Sequence, residues 1–269
     1  MGNALSRGYL GFGVAAAMAA SLVTAPALAE PTGPEPGTDI IFELGVGGRM
    51  APQYPGADSY MLSPTPIVKL RFLVLPVLGK VSDYREDAGL AIYPTAKFVG
   101  ERDEAELTGL KKVDWAIELG GGVRYKGDWV EAFAEVRRGF NGHHGVVGEV
   151  GVDALARPSD RLLVKFGPRL TFADSEYMST YFGVTSSEAV ASGGKFSAFK
   201  AESGIQDVGV QLQLEYEATQ DVMLYADAGY RRLLGDAADS PIVKRSGSAN
   251  QFTAGIGVTY RFSFNVDGK

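Results

Sequence analysis

The chain has 269 residues, 35 glycines, 12 tyrosines, 14 phenylalanines and no cysteine, and it carries a formal net charge of -6. Without cysteine it can form neither a disulfide framework nor the cysteine-anchored terminus of a lipoprotein. Its acidity argues against a nucleic-acid partner, while the glycine and aromatic content suits strands better than helices.

Arg7 is the only charged residue before Glu30. An apolar run follows it, YLGFGVAAAMAASLVTAPALA at 9–29, ending in Ala27-Leu28-Ala29. This order predicts a secretory signal peptide over 1–29, cleaved between Ala29 and Glu30. EPTGPEPGT at 30–38 predicts a flexible leader. No later stretch has the length of a spanning helix: FLVLPVL at 72–78 is too short and contains Pro76. After export, a membrane role is open only to a β-barrel.

Alternation recurs from there on. Weaker strands are expected at 40–49, 64–72, 74–83, 88–98 and 146–156. In 113–125, Val113, Trp115, Ile117, Leu119, Val123 and Tyr125 share one face, and Asp114, Glu118 and Arg124 the other. In 128–137, Val130, Ala132, Ala134 and Val136 oppose Glu131, Glu135 and Arg137, with Phe133 on the charged side. In 160–172, Leu162, Val164, Phe166, Leu170 and Phe172 oppose Arg161, Lys165, Arg169 and Thr171. Residues 207–217 and 221–231 repeat the pattern, the second with Arg231 on its polar face. In 252–262, Phe252, Ala254, Ile256, Val258, Tyr260 and Phe262 oppose glycine, threonine and Arg261. No confident helix is expected in 30–269.

Short turns at 126–128, 157–160 and 218–221 alternate with longer connections at 99–112, 139–145, 173–206 and 235–248. An up-and-down barrel with short periplasmic turns and long outer loops has this rhythm. A soluble barrel or sandwich would share the alternation with its apolar face turned inward. Against it stand the mixed Arg, Glu and Gly of the polar faces, the alternating turn lengths, and aromatic residues gathered near strand ends. The expectation is an all-β transmembrane antiparallel up-and-down β-barrel over 39–264, with about twelve strands and ten as the alternative, then a C-terminal extension at 265–269. Its lumen charges would be Glu118, Arg124, Glu131, Glu135, Arg137, Lys165, Arg169, Arg231 and Arg261. Tyr260 and Phe262 would form the assembly signal read by the barrel insertion machinery. Outer-membrane lipid and lipopolysaccharide would surround the barrel.

Catalytic, cofactor and metal sites are not expected. No serine sits in a nucleophile motif with histidine and acid, and no helix follows GVGG at 45–48 to cradle a phosphate. His143-His144, within GFNGHHG, read as polar loop residues, since neighbours in a strand point oppositely. Asp174, Glu176, Asp236 and Asp239 read as solvated loop acids, a divalent-cation site being the lesser alternative. Tyr177, Met178, Tyr181 and Phe182 are costly to leave exposed in one loop. They are expected to plug the barrel mouth or to form a contact surface.

Several long motifs resemble the MltA-interacting protein (MipA/OmpV) family. They are GVGGRMAPQYPGADSYMLSPTPIV at 45–68, DWAIELGGGVRYKGDWVEAFAEVRRGFNGHHGVVGEVGV at 114–152, ADSEYMSTYFGV at 173–184, and YRRLLGDAADSPIVKRSGSANQFTAGIGVTYRF at 230–262. The resemblance implies a non-enzymatic outer-membrane barrel of a Gram-negative cell, acting as a scaffold between a murein lytic transglycosylase and a murein synthase. A small porin-like channel is the alternative. A scaffold would meet its partners at the periplasmic turns, through residues such as Lys126, Arg157 and Asp221. This chain departs from the family by adding SFNVDGK after Phe262.

Overall fold

The computed structural model describes residues 40–75, 79–82, 89–103 and 107–264, with backbone alone for 72–75 and 79–82. The expected signal peptide with its Ala29–Glu30 cleavage point, the leader and the C-terminal extension lie outside the described residues. Eleven strands occur: β1 Ile40–Pro52, β2 Tyr60–Leu75, β3 Gly79–Ser82, β4 Gly89–Val99, β5 Ala116–Lys126, β6 Val130–Asn141, β7 Val146–Ser159, β8 Leu162–Ala173, β9 Gly204–Glu217, β10 Val222–Leu233 and β11 Asn250–Phe264. They form one antiparallel sheet in the order β3-β2-β1-β11-β10-β9-β8-β7-β6-β5-β4. The first long strand pairs with the last, from Ile40 against Phe264 to Met50 against Ala254.

The number of passes is ten, the alternative count rather than twelve. β3 is antiparallel to β2 and β4 to β5, so β3 and β4 run in the same sense. Residues 83–88 between them are too few for a return pass. The stretch 64–99, where extra strands were expected, is instead taken up by the 16 residues of β2, the stub β3 and β4.

Two faces follow from the period of two. Leu44, Val46, Ile92, Leu119, Val123, Val136, Phe166, Leu224, Ile256 and Val258 are exposed on the outer face. So much contiguous apolar surface suits a bilayer and not water. Aromatic side chains flank this band. Phe98, Trp115, Phe140, Phe172 and Phe252 are exposed near the loop end, and Tyr125, Trp129, Tyr216, Tyr260 and Phe262 near the turn end. Tyr125 lies ten residues beyond Trp115 along the same segment. At about 3.3 Å per residue and a tilt near 40°, they stand about 25 Å apart along the normal, the height of an outer-membrane apolar band. Val113 and Asp114 depart from their expected places: β5 begins at Ala116, Val113 is buried under the loops and Asp114 pairs with Lys112 at 3.2 Å.

The loops at one end are ordered into a cap that includes four short helices, where none was expected: α1 Ser175–Phe182, α2 Ser186–Ala191, α3 Gly235–Asp239 and α4 Pro241–Ser246. Local chemistry starts three of them. Asp174 accepts the Tyr177 N–H ahead of α1, Thr185 and Glu188 form a capping box on α2, and Pro241 opens α4 behind the Ser240 cap.

Candidate functional site: the lumen and its cap

The inward side chains form a nearly continuous ion-pair lattice. Glu43 of β1 accepts from Arg71 Nε at 2.9 Å, from Thr259 Oγ1 at 3.0 Å and from the Tyr225 hydroxyl. Arg71 also reaches Glu215 of β9, four positions away in the sheet, at 3.0 Å, and Lys69 reaches the same carboxylate at 3.2 Å. These are chords across the lumen. Arg231 of β10 makes another, to Glu149 of β7 at 2.6 Å, while holding Asp207 at 3.2 Å and Thr171 Oγ1 at 2.8 Å. Arg137 joins Glu118 at 2.9 Å and contacts Glu135. Arg169 pairs with Asp153 at 2.8 Å and lies 4.9 Å from the centre of the Phe133 ring, which gives that inward aromatic its partner. Lys165 pairs with Glu131 at 3.2 Å. Buried charges persist only when paired in this way.

The expected lumen residues are placed as follows. Glu118, Glu131, Arg137, Lys165 and Arg169 are buried on the inner face, and Glu135 and Arg231 are partly buried there. Arg124 lies 5.4 Å from the Tyr93 ring centre. Arg261 sits near the turn end, 3.6 Å from Glu43, and donates to the Gln220 carbonyl at 3.0 Å. The sequence pattern does not single out Glu43, Lys69 and Arg71, because proline and glycine interrupt the alternation of β1 and β2. Lys126, expected at a periplasmic turn, is buried. Arg157 and Asp221 do lie exposed at the turn end. Phe262 stacks on Phe42 with centroids 5.4 Å apart, and Phe264 on the same ring at 5.5 Å.

Tyr177, Met178, Tyr181 and Phe182 are buried together on α1, packed with Val99, Val113, Val147, Ala173, Leu233 and Val243. Burial pushes the Tyr177 and Tyr181 hydroxyls well above their ordinary range. A second cluster joins Tyr54, Leu107, Leu110, Val184, Phe196 and Ile242. Arg102 fastens the cap from below, donating to the Thr180 and Tyr181 carbonyls at 3.1 and 3.0 Å and to the Lys111 carbonyl at 3.2 Å. Ser240 Oγ donates to the Phe182 carbonyl at 2.6 Å. Asp174 and Asp236 are engaged as backbone acceptors, from Tyr177 and Glu202, and Asp239 pairs with Lys244 at 2.7 Å. Among the described residues, no three His, Cys, Asp or Glu side chains gather as a metal site.

The two histidines part company. His144 is exposed. His143 does lie in the loop between β6 and β7, but it is buried where cap meets lumen. Its Nε2 lies 3.5 Å from Glu118 Oε1, and its ring meets Tyr177 and Tyr181 edge-on at 5.0 and 5.5 Å. Gly139 makes room for it: a Cβ there would fall 2.1 Å from His143 Cε1.

The sequence profile of the family described as MltA-interacting protein MipA matches residues 44–262, most of the chain. This chain belongs to the MipA family. Among curated proteins, none matches it. Three solved outer-membrane proteins are similar at low identity. The NanC porin shares 10% identity with a TM-score of 0.40, covering 81% of this chain and 98% of its own. OmpT of Vibrio cholerae shares 12% (TM-score 0.34; 84% and 97%). OprG of Pseudomonas aeruginosa shares 11% (TM-score 0.30; 84% and 97%). As a MipA-family member with a membrane-height apolar belt, the chain is an outer-membrane β-barrel protein.

Proposed function

We propose that this MipA-family barrel is a closed, non-enzymatic docking protein for murein-remodelling enzymes, held in the outer membrane by lipid and lipopolysaccharide contacts. The observation that carries the choice over a channel is the lumen itself. Chords such as Arg71–Glu215 and Arg231–Glu149 cross it, and the buried residues of α1 sit over one mouth as a plug. A barrel whose interior is spent on paired charges offers partners its ends. The family's name supports the partner class: it describes an MltA-interacting protein. On this reading the lytic transglycosylase and the murein synthase meet the turn end, where Asp128, Asp160 and Asp221 are exposed.

The test is crosslinking in intact cells with a tag in a loop-end residue, followed by identification of what co-purifies. A lytic transglycosylase or murein synthase should be recovered, and lost when Asp128, Asp160 and Asp221 are changed together to lysine. Recovery of lipopolysaccharide and insertion machinery alone, from a folded barrel, sinks the docking role.

A further inference from the structure

The sheet has a seam that its own sequence keeps from zipping. Among the described residues, β2 pairs with β1 from Tyr60 to Leu73, with an irregularity at Arg71, and with β3 only over Phe72–Leu75, so its outer edge from Tyr60 to Arg71 has no ladder partner. Among the described residues, β4 likewise pairs with β5 alone. These two free edges lie at opposite ends of the sheet order, and wrapping of the sheet brings them towards one another. At the loop end they touch: a Cβ on Gly100, just past β4, would lie 2.3 Å from the Gln53 carbonyl and 3.1 Å from Met61 Sδ.

Prolines decide what those edges can do. The Gln53 N–H donates to the Ser59 carbonyl at 3.0 Å, which makes Gln53 and Ser59 a hydrogen-bonded pair. The register runs unbroken from there past Gly48/Pro64 and Val46/Pro66. Counting by twos puts both prolines at non-hydrogen-bonded pairs, so their nitrogens face away from β1, towards the free edge. On the other rim, Gly127 N–H to the Val130 carbonyl (2.8 Å) and Gly142 N–H to the Trp115 carbonyl (3.0 Å) assign the odd residues of β5 to β6. Gly121 therefore bonds β6, and its partner Pro94 turns its nitrogen away from β5. Three edge positions that a ladder between β2 and β4 would use have no N–H to give.

An unzipped edge in hydrocarbon needs polar company from the lumen side. The seam has it. Its outer rims are apolar and exposed, with Leu62 78% and Leu90 74% exposed beside Val68 and Ile92. Its inner rims carry Ser63, Thr65 and Thr95. Lys97 stands on the inner face opposite Glu118, exposed and with no ion pair within 4 Å among the described residues; Glu118 gives its Oε2 to Arg137 at 2.9 Å. Apolar outside, hydroxyl-lined and cationic inside, the seam matches one ligand shape. We propose that it is a lateral site for an anionic membrane lipid, whose chains stay in the bilayer along Leu62, Val68, Leu90 and Ile92 while its headgroup enters the lumen towards Lys97. A partner β-strand does not fit, because the prolines deny it a ladder on both rims.

The inward direction of Thr95 allows a direct test. A benzoylphenylalanine photocrosslinker is placed at Thr95, at Thr65, or at Gln213 on the lumen wall of β9, in the full-length protein folded into phosphatidylglycerol or phosphatidylcholine vesicles. Folding of each variant is checked by heat-modifiable migration. Lipid adducts are expected at Thr95 and Thr65 and not at Gln213, more strongly with phosphatidylglycerol. Lys97→Gln should cut them about fivefold. Replacing Pro64, Pro66 and Pro94 together by alanine, which restores the three donors, should reduce them further. Folded protein with no adduct at either seam position overturns the proposal, as does equal labelling by the two lipids or indifference to Lys97→Gln.

Discussion

His143 marks where the cap rests on the lumen, and its burial depends on a residue that is not there. Gly139 leaves the space that the imidazole fills. Gly139→Ala should therefore force the ring away from Glu118 and cost about 1–3 kcal/mol, the usual penalty of overpacking, read as a lower urea midpoint for the folded barrel in detergent. In a His143→Ala background the same alanine should cost much less, because the clash is gone. Additive effects of the two changes would sink this account. The histidine illustrates what residue-level reading can and cannot see. Adjacency in the sequence says that His143 and His144 point apart; only the fold shows that one of them points into a hole made by a glycine four residues back. Inward charges on the strongly alternating strands, Glu118 and Arg169 among them, could be read directly, since period two assigns the face. Glu43 and Arg71 could not, because glycine and proline in β1 and β2 dilute the apolar half of the signal.

At the scale of elements, the cap is a small packed unit whose helices depend on their caps. Asp174→Ala removes the acceptor at the start of α1 and should destabilise it by about 1 kcal/mol, seen as faster amide exchange over 175–182. α2 adds a pH dependence. Burial raises the Glu188 carboxyl, but the N–H groups of Lys111 and Thr185 and the Thr185 hydroxyl outweigh it, and the group ends below its ordinary range. A carboxyl depressed by folding stabilises above its unfolded value, and that stabilisation is lost as pH falls through the folded value. Exchange over 185–200, corrected for its intrinsic rate, should rise as pH drops from about 6 to about 3, and Glu188→Gln should flatten the profile. A variant that keeps the full acid response would place the titrating group elsewhere. The signals for these helices stood in the sequence: an aspartate before α1, Thr-Ser-Ser-Glu at 185–188, proline after serine at 240–241. Periodicity missed them because elements of five to eight residues hold too few turns to show a period.

For the whole molecule, the question is whether ten passes leave a path for ions. A sheet of this size could enclose a narrow lumen, and strand count alone does not settle the matter. Side chains do. Arg71, Glu215 and Lys69 tie β2 to β9 across the turn-end half, and Arg231, Glu149 and Asp207 tie β10 to β7 across the loop-end half. The plug on α1 is a second, independent closure. Two closures in series give a distinctive expectation in planar bilayers. The full-length protein should carry no steady current. Deleting 176–200 removes the plug but leaves the chords, so it should stay silent. Arg71→Ala with Glu215→Ala opens one chord under an intact plug and should stay silent too. Only the plug and both chords removed together (the deletion with Arg71→Ala, Glu215→Ala, Arg231→Ala and Glu149→Ala) should conduct, and that current should fall as Lys69 is also neutralised if the freed cation attracts anions into the path. A steady current from the unmodified protein, or from the plug deletion alone, would show that the chords break in the membrane and would return the channel reading to first place.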